Sequence, residues 1–378
     1  MNPEQLTHLL KQEAAKIGFD LVGVAPAVSP AGIHRLRDWI DAGYAGQMHY
    51  LPSRAEAYEH PRSVLEGVRS IVMLGMHYRT ADSRLPAPGE GRIARYAWGS
   101  ADYHDVIHDR LGHLRTYLLD LVPAASARGV VDTAPLLERE FASLAGLGWI
   151  GKNTMLINRH AGSWFFLAAL LTDQELAYEA HDAVDHCGTC RACLDACPTG
   201  AFPEPHVLDA TKCISYLTIE LRDPLPMQSR AGVGDWLFGC DICQEVCPWN
   251  RFAPRSDEQQ FSPTASGNPV RLAELFEMTD ETFRKRFRHT PLWRSKRRGI
   301  LRNAAIAIGN QRHAASIDAL IRGLNDQEPL VRGACAWALG RFRTSEAEQA
   351  LRDRSRIETD PAVRSETDLA LAESLRAG

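Results

Sequence analysis

Eight of the nine cysteines of this chain fall into two closely spaced groups and one position between them. The first group has the spacing C-x2-C-x2-C-x3-C and runs from Cys187 to Cys197. Cys213 stands alone, and the second group, C-x2-C-x3-C, runs from Cys240 to Cys247. A proline follows each group. The first spacing is that of bacterial ferredoxins, in which the fourth cysteine binds the other of two clusters. The pattern therefore predicts two [4Fe–4S] clusters.

These eight cysteines supply enough thiolates for both clusters. We assign the first cluster to Cys187, Cys190, Cys193 and Cys247, and the second to Cys197, Cys213, Cys240 and Cys243. Zinc sites usually separate two C-x2-C pairs by roughly a dozen or more residues. Disulfides fit poorly with an odd number of cysteines and no signal peptide. The ninth cysteine, Cys335, lies in an apolar helical stretch and is predicted to be a small buried side chain.

The N-terminus and the apolar runs predict a protein without a membrane partner. Residues 1–20 have the pattern of an amphipathic helix and lack the basic and apolar regions of a secretory signal. The longest apolar run, Trp164–Leu171, is far too short to span a bilayer. We therefore expect a cytoplasmic protein, and this reducing compartment suits cluster-binding thiolates. We also expect a monomer.

Basic residues cluster between positions 284 and 302, although the net charge of the chain is −4. The candidates for contact with nucleic acid are Arg284, Lys285, Arg294, Lys296, Arg297, Arg298 and Arg302. No acidic residue interrupts this basic block, and aromatic residues such as Trp293 are interleaved with it. Such a block is typical of a phosphate-binding surface. A charge run is also commonly the solvated face of a helix, and the residues alone leave both interpretations open.

The order of helical and strand patterns predicts an α+β chain of several domains. Residues 1–178 alternate the two patterns and predict an N-terminal α/β domain. Its strands are expected at Ser70–Met76 and Ser163–Leu171, which are apolar throughout. Its helices are expected at Asp102–Leu121 and Pro135–Ala145, where apolar residues follow the helical period.

The remaining residues predict two further domains. Residues 179–255 hold the clustered cysteines and little else that could form a core, which predicts a bacterial ferredoxin-like domain stabilised by its two clusters. Residues 256–378 contain an internal repeat of about 31 residues, in which Ala304–Gly309 resembles Cys335–Gly340. Small residues on one helix face and a recurring proline turn predict a HEAT-like α-helical repeat.

Asp132 is a candidate catalytic residue at the end of a predicted strand. Its position before the helix expected near Pro135 is also that of a helix N-cap. A helix N-terminus stabilises the carboxylate and lowers its pKa, which opposes a role as proton donor. Desolvation under a large ligand would reverse that effect. The residues alone leave both roles open.

Two other motifs receive no functional assignment. Gly146–Gly151 matches the G-x-G-x-x-G fingerprint of dinucleotide-binding proteins, but it follows a predicted helix instead of a strand. Gly146 is better explained as the residue that ends this helix. Tyr103, His104 and His108 lie on the helix that starts near Asp102, and we assign no metal to them.

Together these motifs resemble the epoxyqueuosine reductases, which are cobalamin-dependent iron–sulfur enzymes of queuosine synthesis. The matching segments are 95–104, 131–139, 148–154, 187–200, 213–216, 239–250 and the basic block. They extend over nearly the whole chain. The region around Arg54 matches less clearly.

The resemblance implies a cofactor, a substrate and a role for Asp132. The cofactor is cobalamin, held by Arg54, Tyr96, Asp132, Lys152, Asn153, Ser215, Gly239, Cys240 and Asp241. The substrate is epoxyqueuosine at the wobble position of a tRNA anticodon, and the product is queuosine. Asp132 matches the general acid of the family. A small redox protein or another low-potential donor would supply electrons, and the helical repeat with its basic block would hold the anticodon stem-loop.

Two alternatives belong to other classes. A corrinoid iron–sulfur reductase of the reductive dehalogenase type shares both kinds of cofactor, but those proteins usually carry an export signal and lack a basic helical repeat. A ferredoxin-type electron carrier is not an enzyme and has no need of an α/β domain over residues 1–178. A bound corrinoid excludes the carrier, and binding of tRNA distinguishes the reductase from the dehalogenase.

Overall fold

The structure is a computed structural model that describes residues 1–179, 184–264 and 267–375. Its α-helices, in chain order, are α1 (Pro3–Lys16), α2 (Ile33–Asp41), α3 (Tyr103–Leu121), α4 (Glu138–Leu144), α5 (Ala192–Asp195), α6 (Ile214–Ile219), α7 (Met227–Val233), α8 (Ile242–Glu245), α9 (Asp280–Phe287), α10 (Lys296–Gln311), α11 (Ile317–Gly323), α12 (Pro329–Gly340), α13 (Ser345–Ile357) and α14 (Pro361–Leu375). Its strands are β1 (Leu21–Pro26), β2 (Ser70–His77), β3 (Glu90–Ile93), β4 (Ala127–Val130), β5 (Trp149–Ile150), β6 (Leu156–Ile157), β7 (Phe165–Thr172), β8 (Trp236–Phe238) and β9 (Val270–Arg271).

The chain divides into two compact units that interleave along the sequence. The first unit consists of Met1–Ala81, Ala101–Ala210 and Ile242–Phe261, and the second of Asp82–Ser100, Thr211–Asp241 and the described part of Ser262–Gly378. Because these units combine distant segments, they do not follow the three consecutive domains expected from the sequence. That three-domain division stays a prediction.

The first unit is built on a four-stranded sheet with the order β1-β2-β7-β4. The predicted strands β2 and β7 are confirmed, and their central residues pair Val72 with Leu170 deep in the core. Every pairing in this sheet is antiparallel. The unit is therefore α+β instead of the predicted α/β, because an apolar run indicates burial but not the direction of the neighbouring strand.

Helices α3 and α4 bring side chains to the end of this sheet. The predicted helix α3 is confirmed, with Ile107, Leu111 and Leu114 buried, and Asp102 caps it by accepting a hydrogen bond from the His104 amide at 3.0 Å. Helix α4 begins at Glu138, three residues later than predicted. Residues 131–137, between β4 and α4, form the loop that carries Asp132.

The second unit combines a small sheet with stacked helices. The sheet has the order β8-β3-β9. In the repeat, close helix contacts depend on glycine: a Cβ atom on Gly309 would lie 2.6 Å from the Trp337 ring, and one on Gly340 would lie 2.8 Å from Ala370. This packing agrees with the predicted helical repeat. Cys335 is 0% exposed, which confirms its prediction as a buried side chain.

Among the described residues, none of the helices combines the length and the apolar character that a bilayer crossing requires.

Candidate functional site

Four cysteines of the first unit line one small cavity. They are Cys187, Cys190, Cys193 and Cys247, the same four that the spacing assigned to the first cluster. The local fold explains how three of them converge. Gly188 adopts a positive φ of 50°, and the Cys190 amide donates to the Cys187 carbonyl at 3.0 Å, so the chain coils tightly around the cavity.

The turn between β5 and β6 holds the cysteine segments in place. The Lys152 ammonium donates to the carbonyls of Gly188 and Cys190 at 2.5 and 3.0 Å. The Asn153 amide is buried and donates to the Cys243 carbonyl at 3.3 Å. The side chains of Lys152 and Asn153 therefore support the cluster loops, and their contact with cobalamin stays a prediction.

The chemistry of this cavity fits a cluster. Desolvation raises the pKa of the Cys187, Cys193 and Cys247 thiols, and mutual repulsion raises the pKa of Cys193 and Cys247 further. Cationic iron relieves both costs, and thiolates are the ligands that iron–sulfur clusters use. The buried Trp149 indole lies beside Cys187 but makes no hydrogen bond of normal geometry within the described residues. An inorganic sulfide would give this N–H an acceptor.

Asp132 lies in the loop after β4 with a left-handed backbone, φ 57°. Its carboxylate accepts a hydrogen bond from the Tyr103 hydroxyl at 3.0 Å and lies 3.4 Å from His104 Nε2. The interpretation of Asp132 as a helix N-cap is wrong, because α4 begins only at Glu138 and Leu137 occupies the N-cap position. The helix N-terminus that was expected to stabilise the Asp132 carboxylate therefore lies elsewhere, at Leu137.

Charged neighbours surround the Asp132 carboxylate. Burial opposes the charged form of His104, but hydrogen bonds to Asp102 and Asp132 outweigh it and raise its pKa to about 9. Burial and the Asp132 charge raise the pKa of Glu138 to about 8, and this carboxyl group accepts a hydrogen bond from the Asp132 amide at 2.8 Å. At neutral pH both His104 and Glu138 therefore carry a proton beside the Asp132 carboxylate.

The hydrogen-bond and charge partners of Asp132 were not predicted from the sequence. Tyr103 stacks on the Phe166 ring, with centroids 4.2 Å apart and planes inclined by 6°, and this packing fixes its hydroxyl near the carboxylate. The adjacent polar pair Tyr103-His104 at the start of α3 is the sequence feature that could have indicated a functional role. The approach of α3 to the loop after β4 is a tertiary contact, which the sequence pattern does not show.

The pKa of His104 predicts a limit on activity at high pH. We expect the turnover number to fall about tenfold per pH unit above about pH 9, because the imidazolium beside Asp132 loses its proton there. The check is the pH profile of the wild type and of His104→Gln. The variant should be slower and should lack this alkaline decline, whereas an identical decline in both proteins would contradict the prediction.

The other predicted cofactor residues form local groups within each unit. In the first unit, Arg54 donates to the Thr133 carbonyl at 3.4 Å, next to Asp132. In the second, Gly239 has a φ of 68°, and a Cβ atom there would lie 2.6 Å from that of Ala94 and 3.4 Å from the Tyr96 ring.

Asp241, Cys240 and Ser215 complete the second group. The Asp241 carboxylate is buried and accepts a hydrogen bond from the Arg95 amide at 2.8 Å, so this side chain serves the protein fold. Ser215 is half-buried on α6, directly after Ile214. Cys240 is also half-buried. The contacts of these three residues with cobalamin stay predictions.

Some side chains of the basic block are exposed to solvent, and others are largely buried in contacts with the protein. Arg284, Lys285, Arg294, Lys296 and Arg298 are exposed. The prediction that Arg302 contacts nucleic acid is wrong, because Arg302 is only 1% exposed and binds backbone carbonyls of its own unit. Arg297 is also unsuited to this role, since its guanidinium pairs with Asp326 and its side chain is 15% exposed. The charge pattern did not reveal which helix face packs inward.

A thiol-lined cavity and a protonated acid–base cluster in the first unit, with a helical repeat in the second, define an iron–sulfur oxidoreductase. Family models agree: residues 186–250 match "4Fe-4S double cluster binding domain", residues 59–133 match "Epoxyqueuosine reductase QueG, DUF1730", and residues 293–372 match "HEAT repeats". The epoxyqueuosine reductase of Pseudomonas aeruginosa is 39% identical over 90% of this chain and 95% of its own length. The chain therefore belongs to the epoxyqueuosine reductase family.

Other relatives extend this similarity to the fold. The Escherichia coli epoxyqueuosine reductase is 36% identical over 89% of each chain. A crystal structure of an epoxyqueuosine reductase with an epoxyqueuosine-modified tRNA stem-loop has a TM-score of 0.92 and 30% identity, covering 99% of this chain and 100% of that one. The Bacillus subtilis enzyme, with its catalytic aspartate loop swung out of the active site, has a TM-score of 0.90 and 29% identity over 98% of this chain and 100% of its own.

Proposed function

We propose that this chain reduces epoxyqueuosine to queuosine in the anticodon of tRNA. The observation that carries the proposal is the presence, in one compact unit, of a four-thiol cavity for electrons and of Asp132 beside protonated neighbours. The reaction needs both: an epoxide, two electrons and two protons give an alkene and water. The relative bound to an epoxyqueuosine-modified stem-loop supports the choice of substrate.

Two [4Fe–4S] clusters would deliver the electrons one at a time. The matched double cluster domain supports two clusters. We propose the ligands that the spacing indicates: the cavity-lining set for the first cluster, and Cys197, Cys213, Cys240 and Cys243 for the second. The Cys197 sulfur already accepts a hydrogen bond from the Ala201 amide at 3.4 Å, which helps to fix its position. A low-potential donor such as a small redox protein would reduce the clusters.

Cobalamin is proposed as the second cofactor. When bound, it would supply a strongly nucleophilic metal centre for the reduction. The proposed contacts are Arg54, Tyr96, Asp132, Lys152, Asn153, Ser215, Gly239, Cys240 and Asp241. Arg54 contacts the Asp132 loop in the first unit, and Tyr96 lies beside Gly239 in the second. The test is the visible spectrum of anaerobically reconstituted protein after removal of free corrinoid: it should show bound cobalamin, and a spectrum without corrinoid bands would exclude this assignment.

Asp132 would protonate the oxygen that leaves the epoxide. Its carboxyl group is 53% exposed, so a substrate can approach it. Tyr103 fixes its orientation by a hydrogen bond, and the His104 imidazolium, 3.4 Å away, would stabilise the Asp132 carboxylate that remains after the proton has left. Hydrogen bonds to the neighbouring carboxylates keep His104 charged for this purpose.

The exposed part of the basic block would bind the phosphates of the stem-loop. We expect the double variant Arg284→Glu, Lys285→Glu and the single variant Arg298→Glu to bind more weakly, and the salt dependence of binding to become shallower by about one unit of slope for each phosphate that is no longer bound. Fluorescence anisotropy of a labelled stem-loop at several salt concentrations measures both effects. Arg356→Glu, an exposed arginine on α13, is the control. Wild-type affinity in the first two variants would place the RNA elsewhere.

The proposed activity can be tested in cells that lack their own epoxyqueuosine reductase. Expression of this chain should convert the wobble nucleoside of their tRNA from epoxyqueuosine to queuosine, detected by mass spectrometry as the loss of one oxygen atom. Persistence of epoxyqueuosine despite expression of iron-loaded protein would contradict the proposal. A cytoplasmic location and a monomeric state stay predictions.

A further inference from the structure

Arg302 and Asn303 lie side by side on α10, at the start of the helical repeat, and are 1% and 0% exposed. All five guanidinium N–H donors of Arg302 are paired. Three go to the carbonyls of Leu217, Leu221 and Asp223, and two go to the Asn303 side-chain oxygen. Arg302 therefore fixes the carboxyl-terminal end of α6 and the loop that follows it.

The Asn303 side chain links two other segments of the second unit. Its amide donates to the Thr218 carbonyl at 2.8 Å and to the Leu237 carbonyl at 2.9 Å. Thr218 belongs to α6, which begins directly after Cys213, and Leu237 belongs to β8, which ends two residues before Cys240. One side chain thus connects the segments that carry these two cysteines.

Thr218 strengthens the same link. Its hydroxyl accepts a hydrogen bond from the Gly239 amide at 3.0 Å and donates to the Ile214 carbonyl at 2.7 Å. The Ser295 hydroxyl adds a bond to the Thr218 carbonyl at 3.0 Å. These groups are buried, and buried polar groups are costly to leave unpaired, so the network favours a single arrangement of α6 and the turn after β8.

We propose that Arg302 and Asn303 are positioning residues that hold Cys213 and Cys240 at the separation required by one [4Fe–4S] cluster. The inference rests on the proposed function, which assigns both cysteines to the second cluster. It gives the helical repeat a second role: its first helix helps to build a metal site, in addition to presenting basic side chains. The first cluster has its four proposed ligands in the other unit and does not depend on this network.

The test is the variant Asn303→Leu, which keeps the branched shape and the number of side-chain heavy atoms but removes both amide donors and the oxygen that accepts from Arg302. After anaerobic reconstitution, we expect the iron content to fall from about eight to about four atoms per chain. The electron paramagnetic resonance spectrum of the reduced protein should keep the signal of one cluster and lose the other. Asn303→Ala is made in parallel. It removes the same hydrogen bonds but leaves space beside the carbonyls, so it separates the loss of the hydrogen bonds from a steric effect of leucine.

Asn310→Leu is the matched control. Asn310 lies on the same helix and also donates to two backbone carbonyls, those of Arg230 and Gly234 at 2.8 and 2.9 Å, but neither belongs to a cysteine segment. We expect this variant to keep about eight irons even where its thermal stability falls as much as that of Asn303→Leu. Wild-type iron and spectra in both Asn303 variants, or equal iron loss in Asn310→Leu, would overturn the inference. A wild-type chain without iron would instead contradict the proposed function.

Discussion

Asp132→Asn should reduce turnover of epoxyqueuosine at least about a hundredfold while leaving cofactor content unchanged. The amide cannot give a proton to the departing oxygen, although it keeps the shape of the side chain. Asparagine also tolerates the left-handed backbone at this position better than other replacements, so the loop should keep its conformation. Single-turnover kinetics with reduced protein and a modified stem-loop measure the effect without interference from the electron donor.

The matched control is Asp105→Asn. Asp105 is an exposed carboxylate in the first turn of α3, close in sequence to His104 but not among the hydrogen-bond partners of Asp132. This variant should turn over at the wild-type rate. A wild-type rate in Asp132→Asn, with iron and corrinoid intact, would show that Asp132 is not the proton donor and has a structural role only.

Cys193→Ala should abolish turnover and lower the iron content from about eight to about four atoms per chain. Burial and the charges of neighbouring thiolates raise the pKa of the Cys193 thiol, and iron would offset both effects. Loss of this ligand leaves an open iron coordination position. Iron analysis and the spectrum of the reduced protein check the result.

The chain contains its own control for this prediction. Cys335→Ala changes a fully buried thiol of α12 that lies against Gly323 and belongs to neither proposed ligand set. It should keep about eight irons and full turnover. Loss of iron in Cys335→Ala, or full iron in Cys193→Ala, would show that the proposed ligand assignment is incorrect.

The sequence predicted features that depend on local spacing or periodicity. The C-x2-C-x2-C spacing is that of three ligands of one cluster, so the convergence of Cys187, Cys190 and Cys193 could be expected from their spacing alone. Apolar runs and helical periods likewise located β2, β7 and α3 to within a few residues.

Features that depend on tertiary contacts could not be predicted in the same way. Asp132 has a left-handed backbone in the loop before α4, and its carboxylate contacts Tyr103 and His104, which come from a distant segment. Arg302 has the same charge as its exposed neighbour Arg298, yet it faces inward because α6 offers carbonyls to its guanidinium. A run of basic residues gives the charge of a surface, but only packing shows which members reach solvent.

The proposed activity is tested most directly by an anaerobic reaction of the purified chain with a stem-loop that carries epoxyqueuosine. The nucleosides are then analysed by chromatography and mass spectrometry. The protein is supplied with both clusters, with or without cobalamin, and with a chemical reductant. Queuosine should form only when the clusters and cobalamin are both present. Formation of queuosine without any corrinoid, or no queuosine when both cofactors are fully loaded, would contradict the proposal.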